Sequence, residues 1–296
     1  MNPRALRDAY RRGENVSRLL REESGTDENS EEAIETAYDL QAGSYIAALE
    51  NPDYRAHKLA FCGALADLIT GLGGASSLLE TGVGEATTLG HLIEALPGGA
   101  HATACHGFDL SWSRIATARR WLDGRGITDV ALSVASLLEI PYADSSFDVV
   151  YTAHTIEPNG GRERAILTEL HRVTSRYLIL LEPGYELAGP EAQARMREHG
   201  YCRDLPGHAR ALGMVVIRHE LFPHSAAPLN PTALTVIAKV PGAAPATPAL
   251  RCPRYHYPLA RLDDCYYSED SMRCYPIIGG IPCIRSHQGV IASQRL

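Results

Sequence analysis

The sequence predicts an α/β protein: a seven-stranded, doubly wound sheet with N-terminal helices before it and a small β-rich domain behind it. Three observations carry that expectation. Between Ser76 and His199, short apolar runs of strand length alternate with segments of helical period. One of those runs ends in Glu80 and passes at once into Gly82-Val83-Gly84 and a helical pattern, the build of a nucleotide-binding crossover. After Pro241 the periodic pattern stops, and a proline/alanine stretch leads into a tyrosine- and cysteine-rich tail.

Composition narrows the classes. A chain of 296 residues with 45% hydrophobic content can bury one large core and carry additional pieces. Its net charge of −7 disfavours a phosphate-rich polymer, so no nucleic-acid partner is expected. No run approaches the roughly 18 apolar residues of a membrane span, and the first residues hold no apolar signal segment. A cytoplasmic protein with reduced thiols at its seven cysteines is the expectation.

In chain order, residues 1–23 read as one polar, arginine-rich helix, either a solvated arm or an oligomer contact. Residues 22–35 are acidic and read as a flexible connection. From Ala33 an amphipathic helix runs to the stop at Asn51-Pro52, with Tyr38, Gln41 and Tyr45 on neighbouring turns. Residues 1–55 are thus an arm and lid. A helix over 57–72 leads into the glycine turn, and a strand over 102–110 and a helix over 111–126 follow. Strands are predicted at 130–134, 146–152 and 176–182, with helices over 162–173 and 191–199. Right-handed crossovers make this part of the sheet parallel. Strands over 214–221 and 233–240, joined by a loop without helical pattern, make a closing hairpin and end the domain of residues 56–240. Residues 241–249 are a linker, and 250–296 form the last domain.

That order, with its motifs, resembles the class I S-adenosylmethionine-dependent methyltransferases of Rossmann-like fold, and within them the small-molecule branch similar to ubiquinone/menaquinone methyltransferases. The first motif stands here as Glu80-Thr81-Gly82-Val83-Gly84-Glu85-Ala86, with Ala86 in place of a third glycine. The second is Asp109 in GFDLSWSRIATARR, and the third is ASLLEIPYADSSFDVVYT, in which Ser136 stands where many relatives carry Asp or Asn. The fourth is ILTELHRVTSRYLILLEPGYE.

The resemblance implies S-adenosylmethionine as cofactor and S-adenosylhomocysteine as product. Glu80 would receive the cofactor's amino group, Gly82 and Gly84 its methionine portion, and Asp109 its ribose hydroxyls. Leu110, Ser136, Leu137 and Thr152 complete the cofactor set, and Tyr38 and Tyr45 are placed to close over the sulfonium, although core packing explains them equally well. For catalysis the place to look is the segment after the fourth strand. His154 is the candidate general base or acceptor-orienting group, with Glu157 beside it. Gln41, Asn159, Glu182 and Tyr185 are the substrate-binding candidates. Each has a plainer structural reading as a packing, capping or loop residue.

The tail resembles the small zinc-ribbon fold of the activator protein that partners tRNA and translation-factor methyltransferases, through Cys252-Pro253, Pro258-Leu259, Tyr275-Pro276-Ile277 and Gly280-Ile281-Pro282. Both Cys-x-x-Cys knuckles have lost their second cysteine, so no metal is expected; a rearranged set of Cys252, His256, Cys265 and Cys274 is the alternative. The module would brace the catalytic domain, cover the active site or mediate a homodimer. The favoured function is methyl transfer to an oxygen or nitrogen of a small-molecule metabolite. The alternatives are an RNA or protein methyltransferase with a fused activator, a non-catalytic cofactor-binding protein, and a nicotinamide-dependent enzyme.

Overall fold

Strand β1 (Ser77–Thr81) is buried over all five residues, as a central strand covered on both faces must be. It pairs in parallel with β2 (Ala104–Asp109) on one side and β4 (Phe147–Ala153) on the other. The computed structural model covers every residue except Met1, Asp27, Ala100, His101, Ala226, 241–245, Arg295 and Leu296, so five of the nine residues of the expected linker lie outside the described residues. With β3 (Val130–Val134), β5 (Thr174–Pro183), β6 (Val215–Leu221) and β7 (Thr232–Ala238), the sheet order is β3-β2-β1-β4-β5-β7-β6. Strand β7 is antiparallel to both neighbours, so the closing hairpin folds back and inserts its second strand beside β5. The chain leaves β1 in one direction and returns at β4 to build in the other. That makes the carboxyl ends of β1 and β4 the switch point where such sheets hold ligands.

The helices cover both faces. Phe61, Leu65 and Ile69 of α5 (Pro52–Gly71) pack on one face with Leu89 and Leu92 of α6 (Thr87–Ala95) and Ile115 and Leu122 of α7 (Trp112–Asp123). On the other face lie Ile166, Leu167 and Leu170 of α8 (Glu163–Val173) and Leu205 and Ala209 of α10 (Leu205–Ala211), while α9 (Pro190–Glu198) packs by the 3₁₀ turn that follows β5. Seven residues with a proline in the first turn gave α10 too little period to be expected from sequence. Among the described residues no helix is long and apolar enough to cross a membrane.

The N-terminal region departs from its expected form. The arm is two helices, α1 (Pro3–Arg11) and α2 (Val16–Ser24), because Gly13 interrupts the first and the side chain of Asn15 caps the second. The acidic stretch is no loose connection: Asn29 is buried and donates to the Pro158 carbonyl at 2.9 Å, and Ser30 caps α3 (Glu31–Leu40). The single helix expected up to Asn51 stops at Leu40, and a separate short helix α4 (Ser44–Ala48) follows Gly43.

The tail forms a five-stranded sheet of β8 (Ala260–Arg261), β9 (Cys265–Ser268), β10 (Arg273–Ile278), β11 (Ile281–Pro282) and β12 (Val290–Ile291). It continues the main sheet past β3: Cys283 bridges Val134 in parallel, and the Ile284 amide donates to the Val134 carbonyl at 2.8 Å. Helix α7 grips it too, with Trp112 donating to the Ile278 carbonyl and Arg119 to those of Gly279 and Gly280. Its core is Cys252, Tyr275 and Ile284, in which the Cys252 sulfur sits 3.3 Å from the Tyr275 hydroxyl. No cluster of three metal-ligating side chains occurs among the described residues.

Candidate active site

Two cavities meet over the carboxyl edge of β1, β2 and β4, and Tyr38, Gly82, Arg114 and His154 line both. The larger has a volume of about 410 Å³ and reaches Glu80, Glu157 and the rim residues His57, Lys58 and His224. The smaller, about 60 Å³, is walled mainly by Ile34, Phe108, Leu110, Ala135 and Leu137, with Asn159 at its edge.

The turn after β1 explains its glycines. Gly82 (φ 63°) and Gly84 (φ 54°) lie in the left-handed region, and a Cβ on Gly82 would sit 2.0 Å from Cγ2 of Thr155. Ala86 adopts the same left-handed region (φ 57°) and precedes α6, so the missing third glycine has left the turn geometry intact at some cost in strain.

Glu80, 2% exposed, accepts a hydrogen bond from the Tyr151 hydroxyl at 2.8 Å. Burial pushes its carboxyl up to about 8, against the pull of Tyr151 and the Lys58 charge. Glu80 is thus a buried acid on the wall of the larger cavity. Asp109 stands one strand over; one oxygen accepts from the Gly84 amide and the other from Ser111, each at 2.9 Å.

The remaining cofactor candidates divide. Leu110 and Leu137 wall the smaller cavity, whereas Thr152 is fully buried and lines neither. Ser136 is also buried; its hydroxyl donates to Glu31 and accepts from the Leu138 amide. Tyr38 and Tyr45 do face a cation, but it is the Arg114 guanidinium, 5.2 and 4.8 Å from their ring centres.

After β4 the backbone bends sharply at His154, whose φ is 56°. Its Nδ1 lies 2.5 Å from Glu157 and its Nε2 2.8 Å from the Thr232 hydroxyl. Burial disfavours the imidazolium, but the hydrogen bond and charge of Glu157 outweigh it and hold His154 above its ordinary value. Burial likewise opposes the Glu157 charge; His154, with Tyr201 and Asn230, reverses the balance and keeps that carboxyl below its usual value. The pair is therefore a hydrogen-bonded, mutually oriented unit on the cavity wall.

Three substrate candidates lie elsewhere. Glu182 is buried and its carboxylate accepts from the amides of Thr155, Ile156 and Glu157, so it shapes the turn that presents His154 and lines neither cavity. Tyr185 packs beside Arg197 and Arg203 in the 3₁₀ turn after β5, away from both cavities. Gln41 lines a separate cleft against the N-terminal arm, with Tyr10 and Arg21. Glu182 is taken up by backbone amides 25–27 residues earlier and Tyr185 by the arginines beside it.

Other site residues escaped the sequence reading. Glu85, 1% exposed, accepts from the amides of Gly43, Tyr45 and Ile46 and so fastens the start of α4 over the glycine turn. Asp39 of α3 accepts from Ser111 and Ser113 at the start of α7. Arg114 fills the space beneath both tyrosines, and Lys58 donates to the Thr88 hydroxyl at 3.2 Å on the cavity wall. Their partners are distant in sequence; only the polarity of Arg114 on the buried face of an amphipathic helix was a local signal.

Residues 78–176 match the family model of a methyltransferase domain. No curated protein matches the chain in sequence. Among solved structures, a Galdieria sulphuraria protein described as a sarcosine dimethylglycine methyltransferase superposes with a TM-score of 0.51 at 14% identity, covering 63% of this chain and 88% of that one. Magnesium protoporphyrin IX methyltransferase from Synechocystis PCC 6803, solved with bound S-adenosylhomocysteine, does so with a TM-score of 0.50 at 11% identity over 63% of this chain and 85% of that one. The chain thus carries a methyltransferase domain on a seven-stranded methyltransferase-type sheet, with a C-terminal β-rich extension.

Proposed function

We propose that the protein is an S-adenosylmethionine-dependent methyltransferase acting on an oxygen or nitrogen of a small-molecule acceptor, in the branch that resembles the quinone methyltransferases. One observation carries the reading: Glu80, the Gly82–Gly84 turn and the His154–Glu157 pair face a single cavity, with Asp109 on the wall of the cavity adjoining it. Bound there, the cofactor supplies an electrophilic methyl group on a sulfonium.

The chain's own residues fit that group. Glu80 offers a buried carboxylate to an ammonium. The glycine turn allows close backbone approach where any Cβ would collide. Asp109 keeps lone pairs beyond the two that its amide partners occupy, and can accept from a ribose diol. Phe108, Leu110 and Leu137 provide apolar wall for a purine.

On the acceptor side, Glu157 fixes the proton of His154 on Nδ1 and leaves Nε2 as the basic nitrogen, resting against Thr232. An acceptor O–H or N–H that displaces the Thr232 hydroxyl is met by a base whose affinity for a proton Glu157 has raised. Most of the remaining acceleration comes from alignment in the cavity. Its volume of about 410 Å³ suits a metabolite, and both solved neighbours are named for small acceptors. The module of residues 250–296 acts as a metal-free brace on this domain.

The test is a screen of metabolite extracts with a labelled methyl donor, after calorimetry with S-adenosylmethionine. A labelled product that disappears in Glu80→Ala and falls sharply in His154→Ala supports the reading. Tight cofactor binding without turnover on any extract would leave a non-catalytic binding protein, and absence of binding would end the proposal.

A further inference from the structure

The smaller cavity has apolar walls but two carboxylates, Asp109 and Glu31. Asp109 comes from the sheet, as expected. Glu31 comes from the first turn of α3, which makes it an addition from the lid. Its carboxylate is held from two sides. Ser136, just past the end of β3, donates its hydroxyl to one oxygen. Arg285 of the C-terminal extension donates Nη2 to the other at 3.2 Å, while its Nη1 holds Glu35 one turn along α3. The arginine side chain is 5% exposed, and that of Glu31 29%. This is a nearly buried clamp on a carboxylate whose free lone pairs remain at the cavity.

The register makes the clamp possible. Cys283 and Ile284 continue the sheet beside Val134, so Arg285 emerges over the carboxyl end of β3, as far past the bridged Cys283 as Ser136 is past Val134. Ser136 is already engaged on both sides, its hydrogen with Glu31 and one oxygen lone pair with the Leu138 amide, and it carries no charge, so the charged acceptor on this wall is Glu31. The carboxylate that position 136 lacks is delivered by Glu31.

We propose that Glu31 accepts the exocyclic amine of the cofactor's adenine, and that Arg285 positions it, which makes the C-terminal extension part of the cofactor site. The assignment rests on the cofactor reading above and narrows it to one base. A charged acceptor facing an amine discriminates against a base that presents a carbonyl there, by about tenfold or more.

The experiment compares S-adenosylhomocysteine with S-inosylhomocysteine, in which an oxo group replaces that amine, by calorimetry on the full chain. The wild type should favour the adenosyl compound at least about tenfold. Glu31→Leu should lose that preference by weakening the adenosyl compound alone. Arg285→Met should shrink it in the same direction. Arg119→Met, which removes another contact of the extension with no path to α3 through Glu31, should keep it. The preference is a ratio on one preparation, so it does not depend on the fraction folded. Equal weakening of both compounds by Glu31→Leu, or an undiminished ratio in Arg285→Met, overturns the assignment. Equal binding of both by the wild type overturns it too. Binding of neither would remove the cofactor reading itself, a different and recognisable failure.

Discussion

Cofactor affinity should climb steeply with pH, and Glu80 is the reason. In the cofactor-free protein burial pushes its carboxyl up to about 8, against the hydrogen bonds from the Tyr151 hydroxyl and the Leu89 backbone and the charge of Lys58. At pH 6 it therefore holds a proton that an ammonium ligand must expel. Each pH unit below that value costs close to tenfold in affinity, so raising the pH from 6 to 8 should tighten binding by up to about a hundredfold before the curve flattens. The same shift has an opposite consequence for the protein alone. A carboxyl whose folded value is raised keeps its proton in the folded state after the unfolded chain has lost it, so the cofactor-free fold loses stability as pH rises between the ordinary glutamate value and about 8. Calorimetry with S-adenosylhomocysteine at three pH values, in buffers of different ionisation heat, reads both affinity and protons released. Close to one proton should leave per ligand at pH 6 to 7. Glu80→Gln should bind weakly with no pH slope. Tyr151→Phe, which removes the hydrogen bond that favours the charge, should extend the slope above pH 8. A flat affinity profile with no proton release in the wild type would refute the reasoning.

Other outcomes follow from the same geometry. His154→Ala should lower kcat by about a hundredfold or more, with cofactor affinity held, in a single-turnover assay on the identified acceptor. Because neutral His154 is the base, activity should rise with pH through its raised value; Glu157→Gln removes the group that raises it and should move that limb to lower pH. The stability contributed by the His154–Glu157 pair is present while Glu157 is ionised and His154 protonated, and is lost both as pH falls through the folded value of Glu157 and as it rises through that of His154, so Glu157→Gln should flatten the urea-midpoint profile across that window. Glu85→Ala strands three amides at the start of α4 and should cost about 2 kcal/mol in urea unfolding, with faster proteolysis near Gly43. Chelators should leave the Tm unchanged, since Cys252 is paired with Tyr275; a fall of several degrees would mean that the tail holds a metal after all.

What the sequence made legible was whatever depends on neighbours along the chain. The strand, glycine turn and helix around Gly82 follow from backbone requirements a few residues apart, and the alternation behind it is enough for a doubly wound sheet. Local pattern also pointed to His154 and Glu157, three residues apart, which touch each other and line the larger cavity. It failed where the deciding partner is distant. Glu182 looked free at a strand end, but the turn it caps is 25–27 residues earlier. Glu85 looked like a variable position in a glycine motif, yet its three amides lie 39–42 residues upstream. Arg285 sits 250 and 254 residues from the two glutamates it holds, and no periodicity reports such a contact. The N-terminal helices were drawn too long because apolar spacing survives a glycine that the backbone does not.

The central claim is that the carboxylates and glycines at the ends of β1 and β2 form an S-adenosylmethionine site. Titration of the wild type and Asp109→Ala with S-adenosylhomocysteine and, separately, with a nicotinamide dinucleotide tests it most directly. The wild type should bind one S-adenosylhomocysteine per chain, Asp109→Ala should bind it at least about tenfold more weakly from loss of charged hydrogen bonds, and the dinucleotide should give no heat. Dinucleotide binding without S-adenosylhomocysteine binding would contradict the claim.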